Sequence, residues 1–238
     1  MFSLFIISNI MNTPIFVVYH IYPHFHWKEH VQDKFNRINK YELSKKIFQM
    51  YCVVVKPTSE DIEWLQKECI KNNLDKKIKI FQTKENNFEH ESIKLVKEIG
   101  DNNDGFTLYF HTKGCGRIIN DFKTNWDEAM TCTVINNWEQ CLEKLKFYNC
   151  VGSYFRKTPG LKRFHFSGNF WWAKNNYIKT LPKIENPNKN RFYYEFWIGE
   201  KKSLEEMNAF CPLLFLNKYK VGDNDAYKKI DFSKKWIY

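Results

Sequence analysis

The chain has 238 residues, of which 43% are hydrophobic, 18% aromatic and 27% charged. A chain of this length buries roughly 72% of its unfolded surface and needs no disulfide or metal to fold. The aromatic share excludes disorder for the bulk of the chain, since disordered chains carry few aromatic residues. The formal charge of +10 favours an anionic partner, but it does not distinguish nucleic acid, membrane and phosphate compounds.

The first twelve residues, MFSLFIISNIMN, are apolar but lack the basic segment and the cleavage site of a signal peptide. We interpret residues 1–12 as a loose N-terminal extension and residues 13–238 as a single domain. A membrane-surface anchor is the alternative for the extension, so membrane contact is expected to be peripheral at most. The seven cysteines are scattered without a C-x-x-C pair, which is typical of free thiols in a reducing cytosol. A cytoplasmic protein is therefore predicted.

Short apolar runs alternate with helical patterns through the first half of the chain. Strands are predicted at Ile15–Tyr19, Tyr51–Val55, Ile78–Phe81 and Phe106–Phe110. The helix after the second strand opens on a Thr58-x-x-Asp61 cap, and the next helix is predicted to end at Gly100. This order predicts an α/β fold, with a doubly wound, mostly parallel sheet, helices on both faces and a ligand crevice at the carboxyl ends of the strands.

The second half of the chain is less regular. Apolar residues at steps of four predict one long amphipathic helix from Trp126 to Leu145. A strand is predicted at Cys150–Phe155, and Phe164–Pro182 is predicted to form a strand, a turn and a short helix. Residues 185–190 are a polar loop, and no internal repeat or domain boundary is evident.

A basic turn follows the fourth strand. His111, Lys113 and Arg117 lie within seven residues, together with two glycines. Backbone N–H groups and cationic side chains at a strand's carboxyl end hold phosphate groups well. The alternative is a solvated basic turn, because the spacing is not that of a Walker loop.

The string Ser167-Gly168-Asn169-Phe170-Trp171-Trp172-Ala173 is the most unusual in the chain. Gly168 lets the backbone approach a ligand closely, and Asn169 offers both a donor and an acceptor. Adjacent tryptophans on a strand point to opposite faces, so one is expected in the core and the other as a platform for a sugar ring or base. Two core tryptophans beside a polar turn are the alternative.

Glu195 is a single carboxylate within the aromatic run RFYYEFWIG. Apolar surroundings raise the pKa of a carboxylate toward the range in which it works as a general base. The alternative is a structural ion pair with Arg191.

Two groups of residues suggest a metal site less convincingly. His20, His24, His26 and His30 are interrupted by Pro23 and have no suitably interleaved acidic ligand, so packing roles are favoured. Asp223-Asn224-Asp225 has the residue types of a divalent cation site, but a polar turn is the simpler interpretation.

Five ordered segments resemble a glycosyltransferase-like family found in bacterial surface-polysaccharide clusters and in giant DNA viruses. They are VYHIYPHFHWKEHVQDKFNRIN, LYFHTKG, NCVGSYF, HFSGNFWWAKNNYIKTLP and RFYYEFWIGE. The resemblance spans about residues 14–200, and SGNFWWA is its most specific part. It implies a GT-A type fold and transfer of a sugar from a nucleotide-diphosphate sugar, such as a UDP-sugar, to a hydroxyl acceptor in glycan or polysaccharide synthesis.

The resemblance also implies roles for particular residues. Tyr19 and His20 would border the donor nucleotide, and Ser167–Ala173 would shape the sugar and acceptor pocket. Glu195 resembles the carboxylate that takes the proton from the acceptor hydroxyl in inverting enzymes.

The phosphate-binding part of the family pattern is altered in this chain. In many GT-A enzymes the fourth strand leads into a D-x-D that holds a divalent cation, Mn²⁺ or Mg²⁺, on the diphosphate. Here His111-Thr112-Lys113 stands in that place. This departure favours neutralisation of the leaving diphosphate by His111, Lys113 and Arg117 themselves.

Two other function classes fit the composition. A nucleic-acid-binding basic domain fits the charge and the aromatic content, but the chain has no RNP-like string, zinc finger or arginine-rich arm, and its lysines are spread out. A catalytically silent nucleotide-sugar-binding relative would keep the donor site without turnover.

Overall fold

The computed structural model describes residues 13–112, 121–157, 163–187, 190–200 and 202–212, with the backbone alone for 121–125. In chain order the elements are β1 (Ile15–Ile21), α1 (Trp27–Lys40), α2 (Leu43–Lys46), β2 (Ile47–Val55), α3 (Ser59–Lys71), β3 (Ile78–Thr83), α4 (His90–Asn102), β4 (Phe106–His111), α5 (Asp121–Thr131), a π-helical turn (Cys132–Asn136), α6 (Trp138–Leu145), β5 (Cys150–Gly152), β6 (Phe155–Lys157), β7 (Phe164–Phe166), β8 (Trp171–Lys174), α7 (Asn175–Lys179), α8 (Phe192–Phe196), a 3-10 turn (Trp197–Gly199), α9 (Leu204–Met207) and β9 (Ala209–Phe210). The predicted alternation of strands and helices through β4 is confirmed.

Within the described residues, seven strands form one sheet in the order β3-β2-β1-β4-β8-β5-β9. Strands β3, β2, β1 and β4 pair in parallel, and β8 is antiparallel to both of its neighbours. The prediction of an α/β, mostly parallel sheet is confirmed. Strands β6 and β7 form a separate antiparallel ribbon.

Two hydrophobic cores lie on the two faces of the sheet, and the alternating side chains of β1 enter both. Val17 and Tyr19 pack with α1, α3 and α5, whereas Phe16 and Val18 pack with α4 and α7. All seven residues of β1 are buried, because helices cover the strand on both faces. This arrangement explains why the first strand is a continuous apolar run.

The N-terminus of α3 carries the predicted capping box. The Thr58 hydroxyl accepts a hydrogen bond from the Asp61 backbone N–H at 3.1 Å, and the Asp61 carboxylate accepts from the Thr58 N–H at 2.9 Å. These two bonds satisfy backbone donors that the first turn of a helix otherwise leaves without a partner.

The prediction that Gly100 ends the third helix is wrong. Helix α4 continues to Asn102, and Gly100 lies inside it. A Cβ atom at this position would lie 2.3 Å from the Cγ2 atom of Ile178 on α7. The glycine therefore permits close packing of two helices, and it does not terminate α4.

The predicted long helix is interrupted. Helix α5 passes into the π-helical turn, and α6 begins after Asn137. The indole N–H of Trp172 donates to the Val134 carbonyl oxygen at 2.7 Å, and the Asn137 side chain donates to the Cys132 carbonyl at 2.7 Å. These bonds satisfy carbonyl groups that the irregular turn does not pair in the α-helical manner.

The prediction of one strand over Cys150–Phe155 is also wrong. Strand β5 ends at Gly152, and β6 begins at Phe155 in the other sheet. Tyr154 lies between them with a φ of 56°, a left-handed conformation that breaks the extended chain.

The described cysteines, six of the seven in the chain, are buried free thiols. None of the helices in the described ranges is both long enough and apolar enough to cross a membrane.

Candidate functional site

The carboxyl ends of β1 and β4 lie side by side and form the floor of the candidate site. His20 and His111 occupy directly paired positions in the two strands, and their ring centroids are 6.5 Å apart. Tyr19, the other β1 residue predicted to border a nucleotide, is fully buried and stacks on Phe110 at 4.4 Å. The side chain of Tyr19 points into the core on one face of the sheet, so in this structure it is a core residue and does not border a nucleotide.

Thr112 joins the two strand ends. Its N–H donates to the His20 carbonyl oxygen at 3.0 Å, and its hydroxyl accepts from the Tyr22 N–H at 3.0 Å. The residue is buried, and these contacts brace the two strand ends against each other; its predicted phosphate contact stays a prediction.

The remaining predicted cationic and acidic positions, Lys113, Arg117, Asp223 and Asp225, lie outside the described residues.

His20 is a buried, neutral histidine. Its Nδ1 lies 2.8 Å from the hydroxyl oxygen of Ser92 on α4. Burial lowers the pKa of His20 to about 4; the Glu89 carboxylate opposes this shift and His111 adds to it. At neutral pH this side chain can therefore position neighbours, but it does not supply a positive charge.

The turn between β7 and β8, Ser167–Phe170, is held over this floor by its backbone groups. The Gly168 N–H donates to Oε1 of Glu195 at 2.7 Å, and the Gly168 carbonyl lies 2.9 Å from Nε2 of His111. Since a carbonyl only accepts, Nε2 of His111 carries the proton in this contact. The Ser167 N–H donates to the Tyr154 carbonyl at 3.0 Å, and the Ser167 side chain is buried.

Only glycine suits position 168. Its φ of 90° lies in the left-handed region, and a Cβ atom would approach Sδ of Met130 to 2.3 Å. The backbone at Gly168 was predicted to approach a ligand closely. In this structure it approaches Met130 on α5.

Asn169 uses both ends of its amide within the protein. Nδ2 donates to Oε2 of Glu89 at 2.6 Å, and Oδ1 accepts from the Trp171 indole N–H at 2.7 Å. The residue is 1% exposed. The prediction that Asn169 offers its donor and acceptor to a ligand is therefore corrected: the amide orients the turn.

Trp171 and Trp172 point to opposite faces of the sheet, as predicted, but each enters one of the two cores. Both are fully buried. Neither offers a ring face to a sugar, so the alternative interpretation, two core tryptophans beside a polar turn, describes this structure. The physical reason is that both faces of β8 are covered.

Glu195 lies on α8 and is half-buried. No ion pair joins it to Arg191 in the described part of the chain; the Arg191 guanidinium instead lies 4.7 Å from the Phe192 ring centroid. Oε1 of Glu195 is held by the Gly168 N–H, whereas Oε2 has no hydrogen-bond partner among the described residues. Glu195 therefore combines a constrained orientation with one oxygen left for proton transfer.

Two polar residues near the turn, Glu89 and His165, were not predicted as site residues from the sequence. Glu89, at the start of α4, accepts hydrogen bonds from the Tyr109 hydroxyl at 2.5 Å and from Asn169 at 2.6 Å. His165, on β7, is buried beside Glu195: burial lowers its pKa to about 4, Glu195 opposes this shift, and Arg156 adds to it. No local pattern marks either residue, since their partners are distant in sequence.

The turn is consequently clamped between two carboxylates. Glu89 holds the side chain of Asn169, and Glu195 holds the backbone of Gly168. These acids reach the turn from α4 and α8, respectively. In this arrangement the Glu195 carboxylate can accept a proton, while the bond from Asn169 to Glu89 keeps the turn in place.

The described residues do not form a metal centre. No group of three histidine, cysteine or acidic side chains among them is suitably placed to hold an ion. Of the four clustered histidines, the exposed His26 lies 3.6 Å from a carboxylate oxygen of Glu29, and His30 lies 3.7 Å from a carboxylate oxygen of Asp127.

A cleft of about 430 Å³ opens near the carboxyl end of β3. Thr83, Lys84, Asn87 and Lys94 contribute to its lining. None of the hydrogen-bonded site residues lines this cleft, so we do not place the chemistry there.

Acid is expected to destabilise the protein through the two buried histidines, His20 and His165. Their folded pKa values, about 4, lie below the ordinary value of 6.5, so their contribution to stability is present above pH 6.5 and is lost as the pH falls toward 4. The free energy of unfolding in urea should fall by about 2 kcal/mol per histidine between pH 7 and pH 5. The variant His20→Asn should show a smaller fall; a pH dependence equal to that of the wild type would contradict the assignment.

The chain belongs to the family described as Domain of unknown function (DUF8361), whose model matches residues 18–193. No curated protein matches the chain significantly in sequence. Thirteen solved chains match in structure. One is core-mannan synthase A from Aspergillus fumigatus in its Mn/GDP form, which is 10% identical, with a TM-score of 0.36 and coverage of 82% of this chain and 72% of that one.

Proposed function

We propose that this protein is a glycosyltransferase that moves a sugar from a nucleotide-diphosphate sugar to a hydroxyl acceptor. The observation that carries the proposal is the position of Glu195, whose Oε1 is held by the Gly168 N–H while Oε2 is left without a described partner. The ordered segments described above, with their resemblance to a glycosyltransferase-like family of GT-A type, supply the reaction class.

In this proposal Glu195 is the general base. Its Oε2 takes the proton from the acceptor hydroxyl as the acceptor oxygen bonds to the anomeric carbon and the bond to the diphosphate breaks. In an inverting transfer the acceptor oxygen attacks the anomeric carbon from the side opposite the leaving diphosphate, so the base acts on that side of a transition state with oxocarbenium character. His111, through Gly168, and the bond from Gly168 to Glu195 maintain the geometry that this step needs.

The leaving diphosphate requires positive charge. We assign that role to Lys113 and Arg117, which follow the end of β4 in the chain. The described residues at this strand end, His111 and Thr112, include no carboxylate and do not fit a divalent cation site. The proposed mechanism therefore uses the cationic side chains of the protein itself.

A thermal-shift screen tests the proposal. UDP-sugars, GDP-sugars, UDP and GDP are added separately, with Mn²⁺ and with EDTA, and nucleotide release is followed for each donor that binds. A donor at about 100 times its Kd should stabilise the folded protein by about 2.7 kcal/mol, which corresponds to a rise in Tm of several degrees.

Three outcomes decide between the function classes. A Tm shift with nucleotide release supports the glycosyltransferase. Binding without release from any donor contradicts enzyme activity and identifies a silent nucleotide-sugar-binding protein. No shift with any nucleotide, together with salt-sensitive binding of an oligonucleotide, contradicts the proposal in favour of a nucleic-acid-binding domain.

A further inference from the structure

We propose that Glu89 is a positioning residue of this site, which sets the geometry of the proposed base Glu195 through the Ser167–Phe170 turn. The inference rests on the proposed function for its catalytic consequence, but its structural part does not depend on any ligand.

The first step is the bond from Asn169 to Glu89. Asn169 has a φ of 57°, and its N–H donates to the Phe166 carbonyl at 2.9 Å, so its backbone closes the turn in a left-handed conformation. Such conformations are costly for residues other than glycine and persist where the surroundings hold them. The 2.6 Å bond from Nδ2 to Glu89 and the 2.7 Å bond from Trp171 to Oδ1 hold this amide.

The Gly168 N–H connects the turn to Glu195. Gly168 directly precedes Asn169, and its N–H is the described hydrogen-bond partner of Oε1 of Glu195. The Gly168 N–H belongs to the peptide unit that links Ser167 and Gly168, so a displacement of the turn that moves this unit changes the direction of the N–H. Glu89 therefore acts on Glu195 through the backbone, although Glu89 directly precedes α4 and Glu195 lies on α8.

Glu89 is itself held in place by a second hydrogen bond. Its Oε2 also accepts from the hydroxyl of Tyr109, a fully buried residue of β4. The charge of Glu89 also opposes the lowering of the His20 pKa by burial. Charge-assisted bonds of this kind are about twice as strong as neutral ones.

The test compares Glu89→Ala with Glu89→Gln. Glutamine keeps an oxygen that accepts from Tyr109 and Asn169 but has no charge, whereas alanine removes the acceptor. The first readout is the amide N–H resonance of Gly168 and the indole N–H resonance of Trp171 in the ligand-free protein. We expect both resonances to move in Glu89→Ala and to stay close to their wild-type positions in Glu89→Gln.

The second readout is steady-state kinetics with the donor found in the screen. Glu89→Ala should lower kcat by about tenfold or more with donor KM changed by less than about twofold, and Glu89→Gln should retain most of kcat. A reciprocal pair, Glu89→Gln with Asn169→Asp, restores a donor and an acceptor in swapped positions. The double variant should recover activity that Asn169→Asp alone loses, because Asn169→Asp places a second negative carboxylate beside Glu89.

The outcomes separate this inference from the proposed function. Unchanged Gly168 and Trp171 resonances in Glu89→Ala would overturn the positioning role whatever the activity. A Glu89→Gln variant as inactive as Glu89→Ala, with wild-type resonances, would also overturn it, because the charge would then act in the reaction itself. If the wild type turns over no donor, the proposed function fails, while the resonances still decide the structural role of Glu89.

Discussion

Replacing Glu195 by glutamine is expected to abolish sugar transfer while donor binding remains close to that of the wild type. Glutamine retains an oxygen that accepts from the Gly168 N–H, so the turn should keep its geometry. It cannot accept the acceptor's proton, and loss of a general base typically costs about 10²–10⁴-fold in rate. Turnover is measured as nucleotide release in the presence of acceptor, and binding as the donor-induced Tm shift.

The matched control for this prediction is Glu185→Gln, which removes an exposed loop carboxylate. It should leave both turnover and binding unchanged. Wild-type turnover in Glu195→Gln would exclude Glu195 as the base, and Glu89 would then be the other carboxylate to test at this turn.

Replacing Lys34 by alanine is expected to destabilise the protein by about 3–5 kcal/mol, because it leaves a buried charge without its partner. The Lys34 side chain is fully buried; its Nζ lies 2.7 Å from Asp127 and 3.1 Å from Asp33. Burial opposes the charged form of Lys34, but Asp127 and Asp33 together raise its pKa above the ordinary value. Asp33 retains Arg37 at 2.7 Å, whereas Asp127 retains only His30 at 3.7 Å, whose pKa is lowered by burial, so Asp127 is the group that loses most.

This ion pair also matters for the site. Asp127 lies on α5, the helix whose Met130 packs against Gly168. The free energy of unfolding in urea, followed by circular dichroism at pH 7, measures the loss. The double variant Lys34→Met with Asp127→Leu should recover most of it, since a buried ion pair replaced by apolar groups is often neutral.

The control for the ion pair is Lys45→Ala, which breaks an exposed contact with Glu42. Exposed pairs contribute about 0–1 kcal/mol, so this variant should unfold nearly as the wild type does. Equal stability of Lys34→Ala and Lys45→Ala would contradict the importance of the buried pair.

The family resemblance and the structure give the Ser167–Ala173 segment different roles. The string SGNFWWA is where a sugar pocket is expected, yet Asn169, Trp171 and Trp172 direct their side chains into the protein. What the segment contributes to the site is its backbone at Gly168, which links His111 to Glu195. An unusual string can thus be required for holding a catalytic group without itself touching a ligand.

Much of the fold was predictable because its signals are local. The apolar run of β1 indicates burial on both faces, and the Thr58-x-x-Asp61 cap needs only residues three apart. The errors at Gly100 and Tyr154 have a different origin. Gly100 looks like a helix stop until Ile178 packs on it, and Tyr154 adopts a left-handed conformation that its residue type does not indicate.

Periodicity and residue chemistry act over short distances, so the alternation of strands and helices, the two-sided burial of the sheet and the candidacy of Glu195 and the Gly168 turn could be predicted from the amino-acid sequence. Which polar groups remain for chemistry depends on the folded chain. The bonds that settle this question join residues 27, 57 and 80 positions apart, from Glu195, His111 and Glu89 to the turn. A hydrogen bond consumes a donor and an acceptor together, so the function of a polar residue depends on partners that the folded chain brings to it.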